Sequence, residues 1–364
     1  MSAAEELEDP ERAALIEAIS RATSETPMVD SATWACLWLS DIENLRGLVS
    51  FAKERPKIVF RVLESNDIDY LRAWTASRIL SIPATTPTTP TTPSKRSAIG
   101  SPTMLPQPVE SSWIANKRSD TAENACAERD SGSCIIEKVQ DPVDKCHIFP
   151  SALGKEPDNT MQRRLWAMLE MYWSPAKIEA WQRQVTGPAL TEHCANLICL
   201  TPSARRLWEK ARFALKPFEP SEDKKKMQVQ FFWMPTHQYS KFVRWTMPPS
   251  IPSDLKCGNL GAKLWNGNQD KRMVSGDMIT ITTENPDTNP LPSFELLQMQ
   301  WILHRLVAIS GAADVMDEEL EDEDEASFGD LYHLWEQAGS PPFASSVSPA
   351  CGGGRLIPLK TMYM

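Results

Sequence analysis

Glycine is scarce in this chain, 15 of 364 residues against 29 prolines. Proline without glycine makes stiff connections rather than tight hairpins. Long apolar runs are missing too. The best, Trp34 to Leu39, is six residues, far below the roughly 18 a membrane span needs. The first residues carry Glu5, Glu6, Glu8 and Asp9, where a secretory leader would be basic and then apolar. The expectation is an intracellular protein without membrane association, with nucleus and cytoplasm left unseparated. There is no glycine-rich phosphate loop, no Gly-x-Ser-x-Gly elbow and no His-Glu-x-x-His pair. The common nucleotide-binding and hydrolase classes therefore gain no support. Eight cysteines at irregular spacing argue against a secreted disulfide framework and for free thiols in a reducing compartment.

A basic excess is also lacking: the net charge is −10. That total is dominated by Asp317 to Glu325 (DEELEDEDE), which holds eight acids and no base. Residues 121–315 carry 23 Lys and Arg against 22 Asp and Glu. This near-neutral segment, with Arg163-Arg164, Arg205-Arg206 and Lys224 to Lys226, is compatible with phosphate contact without demanding it.

Composition divides the chain into four parts. Residues 1–82 read as helical: Asp9-Pro10 is a start signal, and apolar stripes follow through Ile16 and Ile19, from Trp34 to Val49, and through Ile68, Leu71, Trp74 and Ile79. Residues 83–119 form a linker in which Thr-Thr-Pro repeats; such a segment has neither the donors nor the apolar surface for a packed core. Residues 120–315 hold six of the eight cysteines. There the periodicity predicts helices over Met161 to Trp173, Leu200 to Leu215 and Phe294 to Ile309, and strands over Gln228 to Trp233 and Ile279 to Thr282. Helix and strand together make an α+β fold. Residues 316–364 read as an acidic, largely disordered tail, with a short helix around Leu331 to Trp335.

The chain has five histidines, at 147, 193, 237, 304 and 333. The most informative context is an ordered series: Arg129-Asp130-x3-Cys134-Ile135-Ile136, then His147-Ile148-Phe149-Pro150, then an aromatic helix, then Asn196-Leu197-Ile198-x-Leu200. This series resembles the HNH endonuclease-type domain common in fungal proteins of unassigned role. It covers roughly residues 121–220.

The resemblance implies a ββα-metal core with a large helical insertion and additional strands. It implies metal-dependent hydrolysis of DNA phosphodiester bonds, with Mg²⁺, Mn²⁺ or Zn²⁺ as the divalent ion. His147 then matches the general base and Asn196 the asparagine that orients it or binds metal. Two positions depart from the family pattern. The final histidine falls at Arg205, which has no lone pair to offer a cation but can hold a phosphate. The residue before the base is Cys146, whose thiolate suits zinc and serves magnesium poorly. The alternative from another class is an HNH scaffold without catalysis that binds nucleic acid or protein, the acidic run serving as a partner-binding tail.

Other readings stay open. His147 can be a hydrogen-bonded core histidine, and His193 a replacement ligand or a surface loop residue. Cys126, Cys134, Cys146 and Cys194 can form a structural zinc cluster or remain buried thiols. His304, inside the apolar closing helix, reads as structural. The 13 tryptophans fall mostly on helical stripes, where core packing is expected before base stacking.

Overall fold

The computed structural model describes residues 3–23, 28–64, 71, 74, 75, 119–154, 160–186, 189–252 and 254–314. The linker up to residue 118, the tail from residue 316, His333, Ile68 and Ile79 lie outside them. Asp9 and Pro10 open helix α1 (Pro10–Thr23) as the sequence suggests: Asp9 Oδ1 accepts the Glu11 amide at 2.9 Å, and proline at this position loses no hydrogen bond. After the short strand β1 (Met28–Val29), Asp30 caps helix α2 (Ser31–Leu39) by accepting from the amides of Ala32 and Thr33 at 2.7 and 3.0 Å. Every residue of α2 is buried, as its apolar run requires.

The stripe from Trp34 to Val49 is not one helix. The chain breaks at Ser40-Asp41 and resumes as α3 (Ile42–Glu54), followed by α4 (Pro56–Glu64). Asp41 serves a distant helix instead of its own: it accepts the Ser174 amide at 3.0 Å and Lys177 Nζ at 2.5 Å.

Helix α5 (Asp120–Arg129) leads to strand β2 (Asp144–His147). Helices α6 (Thr160–Tyr172) and α7 (Pro175–Arg183) come next, before strand β3 (Leu197–Leu200) returns. β2 and β3 pair antiparallel, with Cys146 opposite Ile198 and His147 opposite Leu197. Residues 148–196 therefore form a helical excursion between two adjacent strands.

Helix α8 (Pro202–Glu209) follows at once and packs on both strands. Thr201 starts it by accepting the Ala204 amide at 3.2 Å. The expected helix over Leu200 to Leu215 stops here. Ala211 turns the chain at φ 51°, and Phe213–Pro217 becomes strand β4, paired with β5 (Lys226–Trp233). Ladder hydrogen bonds along Phe213 to Leu215 override a helical pattern that has no partner of its own.

Strands β6 (Val243–Arg244), β7 (Trp265–Asn266) and β8 (Lys271–Arg272) make small ribbons, β1 with β6 and β7 with β8. Strand β9 (Met278–Thr282) completes a three-stranded sheet of order β4-β5-β9. The last helix, α9 (Phe294–Ser310), is buried on nearly every side, against β4 and α2. It ends at Gly311, whose φ is 77°; a Cβ there would lie 2.5 Å from the Gln238 carbonyl carbon.

The N-terminal helices share this core. Trp34 and Trp38 donate their indole N–H groups to the carbonyls of Met247 and Trp245 at 2.7 and 2.8 Å. Ser31 Oγ donates to the Ser310 carbonyl at 2.6 Å. Arg305, fully enclosed in α9, ion-pairs with Glu6 and lies 4.2 Å over the Trp301 ring. Among the described residues, no helix is long and apolar enough to cross a membrane.

Burial of Asp30 raises its carboxyl from the ordinary 3.8 to about 6. The folded chain therefore holds a proton that the unfolded chain has released, so this group's contribution to stability falls as pH rises through that window. Asn caps as well as Asp and does not ionise. Urea unfolding of Asp30→Asn beside wild type should show the stability difference tilting toward the variant, by up to about 2–3 kcal/mol between pH 4 and 7. A pH-independent difference would contradict this account.

Candidate functional site

The β2–β3 ribbon is held from one side by α5. Arg129 Nε donates to Asp130 Oδ1 at 2.8 Å, and Nη2 donates to Oδ2 at 2.9 Å, with both side chains fully shielded from solvent. The remaining guanidinium donors reach backbone carbonyls: Leu197 at 2.8 Å, and Cys194 and Pro290 at 3.1 Å each. Asp130 Oδ2 in turn accepts the Cys199 amide at 3.0 Å. Burial works against the Arg129 charge, but Asp130 more than compensates and lifts its pKa above the usual value. The Arg-Asp dipeptide of the motif is thus a fastener between helix and strand.

The same junction gathers sulfur. Cys126 Sγ lies 3.8 Å from Cys199 Sγ and 3.7 Å from Asp130 Oδ2. The four-cysteine cluster weighed from sequence is not what assembles. The grouping is Cys126, Asp130 and Cys199, while Cys134 accepts the Glu137 amide at 3.3 Å. Cys36, Cys126, Cys134, Cys146, Cys194 and Cys199 are buried free thiols, as expected; Cys257, by contrast, is disulfide-bonded.

Strand alternation separates the motif residues. Asp144 and Cys146 face α8, where Arg205 Nη1 lies 3.3 Å from Asp144 Oδ2 and Arg205 Nε donates to Glu209 Oε1 at 2.7 Å. Burial pushes the Cys146 thiol far up, against the pull of Arg205. Asp144 is a direct partner of Arg205.

His147 points elsewhere. Its Nε2 lies 2.9 Å from Glu192 Oε1, and the ring is 8 % exposed, so little of it meets solvent. Asn196 is completely buried and clasps the backbone on both sides of the excursion. Its Oδ1 accepts the Phe149 amide at 2.7 Å, and its Nδ2 donates to the carbonyls of Phe149 and Thr191 at 3.1 and 2.9 Å. His193, taken from sequence as a ligand or surface residue, is half-buried with Nε2 2.9 Å from the Gln184 carbonyl oxygen. His304 Nδ1 lies 2.8 Å from the Phe213 carbonyl oxygen in the core.

The structure thus joins Cys146 with Arg205 through Asp144, and His147 with Glu192, on different faces of one ribbon. Glu192 was missed from the sequence; its only signal was its place four residues before Asn196. Cys199 was overlooked because it lies inside an apolar strand. Against this geometry, residues 134–216 match the model of a family described as HNH endonuclease. No curated protein and no solved structure matches the chain. The chain therefore carries an HNH endonuclease-family domain over residues 134–216.

Asn196→Ala strands one buried amide and two buried carbonyls, a loss of about 2–4 kcal/mol. Asn196→Asp should cost as much, because a carboxylate cannot donate to Phe149 and Thr191. Chemical denaturation of both variants measures this. Stability near wild type for Asn196→Asp would show that the amide's donors hold nothing.

Proposed function

We propose that β2, β3 and α8 form the two strands and helix of an HNH scaffold that engages nucleic acid but no longer cleaves it. The observation that carries this reading is Arg205, at the family's last-histidine position, ion-paired with Asp144 and Glu209. A guanidinium stays protonated and cannot ligate a cation. It also fills the space with positive charge and occupies the two carboxylates nearest to it. The divalent ion of an HNH enzyme does not fit these residues. Cys146 is a buried soft sulfur that serves magnesium poorly, and the Asn196 amide is committed to backbone.

The partner class rests on the family match at residues 134–216. In this reading residues 120–315 are the working domain, the described N-terminal helices complete its core, and the acidic run from Asp317 is a partner-binding tail. Charge-based docking on phosphates should weaken steeply with salt.

One observation favours a second reading, retained hydrolysis of DNA. A carboxylate on one imidazole nitrogen orients the ring and fixes its tautomer. Glu192 does this on His147 Nε2, leaving Nδ1 as the nitrogen that would take a proton from water.

Two assays on the full chain separate these readings. Supercoiled plasmid with Mg²⁺, Mn²⁺ or Zn²⁺ supplied singly should show no nicking above His147→Ala and Glu192→Gln. Fluorescence anisotropy with a labelled duplex should show binding that weakens at least tenfold between about 50 and 200 mM salt. Metal-dependent nicking that disappears in His147→Ala would establish the second reading, and no binding at low salt would remove the first.

A further inference from the structure

The side of the ribbon that packs on α5 carries a constellation that the HNH chemistry does not use. Cys126 and Asp130 stand one turn apart on α5 and at its C-terminal end, and so share a helix face. Cys199 comes from the middle of β3. One ligand atom from each lies within 4.8 Å of the other two. The measured edges are 3.8 Å between the two sulfurs and 3.7 Å between Cys126 Sγ and Asp130 Oδ2. A tetrahedral zinc ion, with bonds of about 2.3 Å to sulfur and about 2.1 Å to oxygen, sets such edges at roughly 3.8 and 3.6 Å.

From this match we infer that Cys126, Asp130 and Cys199 form a structural site for a soft divalent cation, zinc by its ligand chemistry, separate from the HNH position. Two thiolates favour zinc over magnesium or calcium, which take oxygen ligands. Charge supports the same assignment. Two thiolates and one carboxylate carry three negative charges, which a dication and the buried Arg129 neutralise together. Arg129 acts as an outer partner that orients the ligands, with Nη2 3.4 Å from Cys126 Sγ and 2.9 Å from Asp130 Oδ2.

The Cys199 amide holds Asp130 at 3.0 Å, so helix and strand present the ligands as part of the fold. The fourth position falls to water. The ion would tie α5 to strand β3, a stabilising role rather than a catalytic one.

The test uses the full chain purified under thiol reductant from zinc-supplemented cells and dialysed against metal-free buffer. Metal analysis should find about one zinc per chain in wild type and in His147→Ala. The Cys126→Ser/Cys199→Ser double variant should hold at least tenfold less. Wild-type protein stripped of metal and titrated with Co²⁺ should develop a thiolate-to-cobalt absorption band in the near ultraviolet, a readout that needs no variant to fold. Less than about a tenth of a zinc per chain together with no thiolate band overturns the proposal. So does a band lost in Cys146→Ser but kept in the double variant, because the ion would then sit at the HNH position.

Discussion

A guanidinium shut away from water decides the geometry of the HNH ribbon. Arg129 is too strongly charged to be buried alone, and Asp130 beside it would be equally costly without a partner. Together they neutralise each other and still leave donors and acceptors to spend on the backbone of β3 and on Pro290. Helix α5, strand β3 and the segment before α9 are therefore fixed by one adjacent pair. Removing either member would leave the other as an uncompensated charge in the core. The register of β3 against β2, and hence the facing directions of Cys146 and His147, follows from that anchorage.

The other face of the ribbon is organised by a second guanidinium. Arginine at position 205 brings a permanent charge to a helix face beside a strand, and the site answers with two carboxylates, Asp144 and Glu209. The result is a local ion-pair network in place of a set of lone pairs. Asn196 makes a parallel point. Its side chain works as a clasp that closes the helical excursion between the two strands, whatever else the same position does in a nuclease. His147, on the opposite face from Arg205, has the Glu192 carboxylate as its neighbour.

Much of this was legible in the sequence where a single local rule governs. Asp9-Pro10, the strand alternation in β5 and the all-round apolar α9 read directly as structure. So did the ordered motif from Arg129 to Leu200, because the spacing of its parts survives any insertion between them. The failures share a physical cause. Helix α8 ends early because β4 pairs with β5, the next strand in the chain, and helical periodicity does not report such pairing. Asp41 breaks the second stripe since its carboxylate is needed at Ser174 and Lys177. Glu192 and the grouping of Cys199 with Cys126 depend on how β3 lies between two helices, a placement set by tertiary contacts alone.

The enclosure of Arg305 bears on how the chain is made. It pairs with Glu6 and donates to the Ala3 carbonyl, 302 positions away along the chain. Ser31 reaches Ser310 across a separation of 279. Contacts that close such long loops form late, because the entropy of closure is spent before the contact rewards it. During synthesis, the fully buried α2 lacks its main neighbour until α9 has left the ribosome. Helix α2 is thus made well before α9 and sealed only with it. In that interval it exposes the surface that chaperones recognise.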